Sequence, residues 1–158
     1  MFRFITILAT FLAGSAMAQT NINLGGMAVD TSAAIEVTAE NLSIDQQGGT
    51  AVFEGDVVIG QGDLRISAAQ VEVIYGTDTN QIARLIATGN VTFVTAQEAA
   101  EAETADYDVV SGLLTLTGDV LLTQGASAIS AQSMVVNVTN GTATMQGRVR
   151  TVLQQGEN

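Results

Sequence analysis

A short motif, Gly-polar-Val, restricts this chain more than any other feature, because it returns four times: at Gly55-Asp56-Val57, Gly89-Asn90-Val91, Gly118-Asp119-Val120 and Gly147-Arg148-Val149. Successive glycines lie 34, 29 and 29 residues apart. A period near thirty marks stacked supersecondary units rather than an ordinary mixed domain, so about four units are expected. Around the first copy, Phe53, Gly55, Val57 and Ile59 share one parity and Glu54 and Asp56 the other. That is the alternation of a strand with one buried and one wet face, and it puts the glycine on the inner face, opening space there or marking a bulge.

A second half-motif alternates with the first: a small residue, two others, then apolar-x-apolar. It reads Ala39 to Leu42 and Ile44, Ala68 to Val71 and Val73, Thr104 to Tyr107 and Val109, and Ala131 to Met134 and Val136. Parity changes inside it, since Ile66 and Ala68 are even while Val71 and Val73 are odd. A strand that keeps one face buried cannot do this without an extra residue. A bulge or bend is therefore expected just after each small residue, where the strand hands its apolar face from one sheet to another. Turn signals separate the half-motifs at Gln47-Gly48-Gly49, Gly76 to Asn80, Ser111-Gly112 and Asn140-Gly141. Helix has little foothold, and the Ala- and Glu-rich stretch 96–105 reads as a long solvated loop, with one turn of helix as the alternative. The inward parity runs from Ile35 and Val37 through the central valines and leucines to Met145 and Val149. The fold class is all-β, antiparallel, with one core.

Residues 1–18 carry Arg3, an apolar run and small residues ending Ala16-Met17-Ala18, the pattern of a secretory signal peptide cleaved before Gln19. Residues 19–34 show no sustained period and read as a flexible leader on which a strand could form against a partner. Residues 153–158 form a tail. The chain has no cysteine, so a core and not disulfides must supply its stability.

Sixteen acids against five arginines, with no lysine or histidine, give a formal charge of −11. That field excludes nucleic acid as a partner. With His, Cys and Lys all absent, the usual bases and nucleophiles are missing, and neither enzymatic activity nor a cofactor or metal is expected. Asp106-Tyr107-Asp108 sets two carboxylates on one strand face, which reads as a solvated face before a catalytic or calcium site.

In sequence and register, Ala51 to Ile59 with Gln61-Gly62-Asp63-Leu64, Ala87 to Val91, Leu114 to Val120 and Gly147 to Arg150 resemble the OstA-like/LptA family over roughly residues 35–152. The resemblance implies an open, twisted β-jelly roll of short antiparallel strands, resident in the periplasm. It implies an apolar trough that shields lipopolysaccharide acyl chains between the inner and outer membranes. By motif position it implies lipid contacts at Thr31, Ile35, Phe93, Tyr107, Val109, Val91 and Leu116. The implied partners are lipopolysaccharide, the inner-membrane-anchored and outer-membrane relatives by strand addition, and further copies of the chain head to tail. Where the family carries an acid followed by Lys or Arg after the small residue, this chain has Ala69-Gln70 and Gln132-Ser133. Arg65, Arg84, Arg148 and Arg150 are then the candidates for phosphate contact, each also readable as an exposed residue that blunts a strand edge. The competing reading is an exported structural β-repeat protein, a filament or stalk subunit whose apolar face is closed by its own core. Lipid occupancy separates the two.

Overall fold

A computed structural model describes residues 21–23, 29–77 and 80–154; the expected signal peptide and the last residues of the tail lie outside them. Eleven strands follow in order: β1 (Asn21–Asn23), β2 (Glu36–Thr38), β3 (Asn41–Asp45), β4 (Thr50–Gln61), β5 (Leu64–Tyr75), β6 (Ile82–Val94), β7 (Glu98–Asp108), β8 (Leu113–Gln124), β9 (Ser127–Asn137), β10 (Thr142–Gln146) and β11 (Arg150–Val152). Each of β4 to β9 pairs antiparallel with the next, and the ends of this meander are split. At one end β3 and β2 pair with opposite halves of β4; at the other, β10 and β11 pair with opposite halves of β9, and β1 adds to the outer edge of β10. The sheet does not close.

The split follows from a corner in every long strand. Register slips between Glu54 and Val57, Thr88 and Val91, and Thr117 and Val120, each time across a Gly-polar pair that carries one residue more than the strand opposite. Both members of each pair adopt left-handed backbone, as at Gly89 (φ 85°) and Asn90 (φ 47°), and Gly147-Arg148 repeats the geometry between β10 and β11. The bulge therefore sits at the Gly-polar pair, one of the two places the sequence suggested, and not just after the small residue, the other. The strands lacking the pair answer with the parity change, from Ala68 to Val71 and from Ala131 to Met134. A side chain at each corner glycine is forbidden by a neighbour: a Cβ on Gly89 would lie 2.7 Å from the Ala69 Cβ, and on Gly118 2.7 Å from the Glu103 Cβ. These glycines do not lie on the inner face, as their parity suggested; they make room on the outside of the corner for the residue following each small one.

Bent this way, the strands make two layers whose inner faces pack together. Layer I holds β1, β3, β10 and one half of each long strand; layer II holds β2, β11 and the other halves. Cross-strand register lines up the inner side chains of layer I in two rows. One runs Leu42, Phe53, Val71, Ala87, Ala105, Leu116, Met134, Met145; the other runs Ile44, Ala51, Val73, Leu85, Tyr107, Leu114, Val136, Ala143. Layer II answers with Val37, Ile59, Ile66, Phe93, Ala100, Leu122 and Ile129. Most of these are sealed from solvent, and each large one contributes about 1.5–3 kcal/mol by burial.

Three sequence expectations are corrected here. Residues 98–108 form strand β7, not a loop or helix turn, because Ala100, Ala102 and Ala105 point inward between larger neighbours such as Phe93 and Leu122. The third small residue is consequently Ala102 and not Thr104. Val149 is exposed rather than inward, since β10 ends at Gln146 and the Gly147-Arg148 corner intervenes before β11.

Candidate functional site

The apolar inner faces of the two layers reach solvent at one end of the meander. On β3, Leu42 is 53% and Ile44 62% exposed although both lie on the inner side of their strand, in register with Phe53 and Ala51. No further strand pairs with β3 or β2 among the described residues. At the opposite end Val149, Val152 and Leu153 are exposed.

Away from the corners, a polar cluster fastens the layers. Gln61 closes β4 in layer II and Tyr107 lies near the end of β7 in layer I; both are buried. The Tyr107 hydroxyl donates to Gln61 Oε1 at 2.9 Å, and Gln61 Nε2 donates to the carbonyls of Thr31 and Ala33, each at 3.2 Å. Burial pushes the Tyr107 phenol above its ordinary pKa. The backbone carrying Thr31 and Ala33 is the end of the leader. Its Val29 N–H donates to the Val138 carbonyl at 2.7 Å, just past β9, and the chain then continues into β2. Residues 29–35 thus form a strap from the end of β9 to the end of β4. Asp30 turns the strap by accepting from the Ser32 N–H and hydroxyl, and these bonds, the hydroxyl's first, hold its carboxyl below the usual value.

Of the residues singled out from the sequence, Thr31 lies on the strap with its side chain exposed, and Ile35 follows it, half-buried against the core. Val91 and Phe93 face inward from layer II, Tyr107 and Leu116 from layer I, and all four are sealed, Phe93 at 0% exposure. Val109, half-buried, stands just beyond β7. Gln61 brings Thr31 and Tyr107 into one network. Gln61 itself was passed over, although it continues the inward parity of Val57 and Ile59 and an amide in that position is a signal. Glu98 was passed over as well. It is buried at the β6–β7 turn, where its carboxylate accepts from the Thr95 hydroxyl at 3.0 Å and the Gln124 amide at 3.0 Å.

The other charged groups do structural work. Arg84 pairs with Asp106 through Nε at 2.7 Å and through a second, shorter bond, and this pairing raises the Arg84 pKa. Asp108 accepts from the Ser111 N–H at 2.9 Å, chiefly for which reason its pKa is lowered. Arg65 donates to the Gly62 and Leu64 carbonyls, and Arg148 and Arg150 are exposed. The residues following the small ones, Glu40, Ala69, Glu103 and Gln132, cover the corner glycines on the outside. Among the described residues no cluster of three Asp, Glu, His or Cys is placed to hold a metal ion.

Comparison with known proteins agrees with this architecture. The fold is similar to the crystal structure of LptH from Pseudomonas aeruginosa, described as the LptA-homologous periplasmic component of its lipopolysaccharide transport device. The TM-score is 0.72 at 18% identity, over 80% of this chain and 99% of that one. An uncharacterised protein of Rhizobium meliloti is 26% identical over 151 residues, which span 95% of this chain and 69% of the relative. The sequence profile described as LptA/(LptD N-terminal domain) LPS transport protein matches residues 36–142, from β2 to β10. The chain therefore belongs to that family of lipopolysaccharide transport proteins.

Proposed function

We propose that this protein is a non-catalytic bridge component of the periplasm that carries lipopolysaccharide with the acyl chains shielded between layers I and II. The observation that supports this best is the pair of rows crossing layer I, apolar but for the Tyr107 hydroxyl, and surfacing at β3 as exposed Leu42 and Ile44. Apolar side chains surfacing at a strand edge whose backbone is also free to pair suit a groove that continues into a partner. Acyl chains lying along these rows meet mostly aliphatic side chains, with Phe53 and Tyr107 the aromatic members, and the seven residues from Thr31 to Leu116 named above are the proposed contacts. The free edges of β2, β3 and β11 support strand addition. Successive copies would join head to tail, and membrane-anchored relatives would dock on the same edges.

The test is occupancy: protein extracted from the periplasm is assayed by mass spectrometry for bound lipopolysaccharide, expected to copurify. A specific observation favours the second reading, a structural β-repeat protein, because Phe93, Val91 and Leu116 are as dry as any sandwich core. Protein that is consistently free of lipid and refuses it on mixing would establish that reading instead.

A further inference from the structure

The sealed interior raises a question of access, since acyl chains cannot reach Phe93 or Leu116 unless the layers part or the strap lifts. We infer that Gln61 is the latch of a lateral gate, and that lipid enters when this amide releases the Tyr107 hydroxyl and the strap carbonyls of Thr31 and Ala33. This rests on the transport reading above and adds its point of entry.

Three pieces meet at this one side chain: layer II, which carries Gln61; layer I, through Tyr107; and the strap, through two carbonyls. Both amide hydrogens and the carbonyl oxygen are used, and no buried side-chain polar atom among the described residues lacks a partner. An amide on an inner row is an expensive choice if closure is all that is needed. A leucine there would fill the space but hold neither the Tyr107 hydroxyl nor the strap carbonyls, whereas the buried amide ties all three as long as its bonds are made. What hydrogen bonds offer instead is an alternative partner in the open state, because water replaces each of them once the mouth is wet. The closed form is thereby held by directional bonds that water can exchange, next to an apolar interior that lipid can fill. Among the described residues the far end of the strap is held by the Val29–Val138 bond and by the buried Val29 side chain, so the strap lifts fully only when that end lets go after Gln61.

A hydrogen bond of ordinary strength shifts such an equilibrium roughly two- to tenfold. In stopped-flow mixing with a dansyl-labelled fatty acid, Gln61→Leu is expected to load about fivefold faster than the unaltered protein, and Tyr107→Phe faster by a smaller factor. The double variant should load no faster than Gln61→Leu, because the two residues act in one network. Lipopolysaccharide mixing should rank the proteins the same way. Loading rates within twofold of the unaltered protein, with only the thermal midpoint lowered, would reduce Gln61 to a structural residue and overturn the latch while leaving transport intact. Unaltered protein that takes up neither probe overturns both. Should the variants fold poorly, amide exchange on the unaltered protein decides: bound lipid should deprotect the Val29 N–H and leave β7 and β8 protected. A Val29 amide equally protected with lipid bound refutes the gate.

Discussion

Phe93 and Val109 separate two kinds of inward position. A charge at Phe93 has no route to water and costs several kcal/mol, whereas one at the half-buried Val109 can stay hydrated. Phe93→Asp is therefore expected to abolish the folded circular-dichroism signal, and Val109→Asp to keep it while weakening lipid loading. Titration gives a second prediction. Asp30 and Asp108 have folded pKa values below their unfolded ones, so their stabilising effect is complete above the ordinary carboxylate value near 4 and is lost as pH falls through the depressed values. Tyr107 is raised, so stability declines once the unfolded chain ionises above about pH 10. The unfolding midpoint should be flat between those limits and drop on both sides. At this scale parity found most of the inner residues, including Val57, Val71, Leu114 and Val136. It missed Gln61 and Glu98 because buried polar groups show themselves only through partners distant in sequence, such as Tyr107, which lies 46 residues from Gln61.

The corner is the element on which the architecture depends, and its glycines differ from those of ordinary turns. Gly125, in the turn between β8 and β9, has φ 57° and nothing within 4 Å of an added Cβ, so Gly125→Ala meets only the backbone penalty of about 1 kcal/mol. Gly89, at φ 85°, also faces the Ala69 Cβ at 2.7 Å, a short side chain that cannot swing aside. Gly89→Ala should destabilise by about 2–3 kcal/mol, and urea unfolding of the two variants side by side would expose any equality between them. The repeat made these corners legible in number, and in place only as two alternatives, at the glycine or after the small residue. Two short residue patterns, the parity change on one strand and the extra residue on the next, are one bend seen from both sides, and sequence alone does not say which strand carries the bulge. β7 was illegible for another reason. Alanine and glutamate carry weak strand preference, and only the large partners on β6 and β8 explain why small inner residues belong there.

At the scale of the whole molecule, charge and edges oppose each other. A formal charge of −11 repels a second copy, and the repulsion fades as added salt shortens the screening length toward about 8 Å. End-to-end association should consequently strengthen with salt and with concentration in sedimentation. β1 bears on this directly, because it lies on the β10 edge that a neighbour's layer I would extend, with Ile22 opposite Ala143. The chain has no native cysteine, so an Ile22→Cys/Ala143→Cys pair can be oxidised selectively. The oxidised form should stay monomeric where the reduced form associates; equal association of both would show that β10 is not the joint. The pairing of β1 with β10 has a further consequence, in the order of folding. Every long strand pairs with the one made just before or after it, so the meander can assemble in sequence with little loop-closure entropy at each step. The pairing of Ile22 with Ala143 differs, as does the Val29–Val138 bond, since both join the beginning of the described chain to its last hairpin. Both form only after that hairpin exists, and the strap then closes over an interior already built: a protein stopped partway through folding is left open at the mouth.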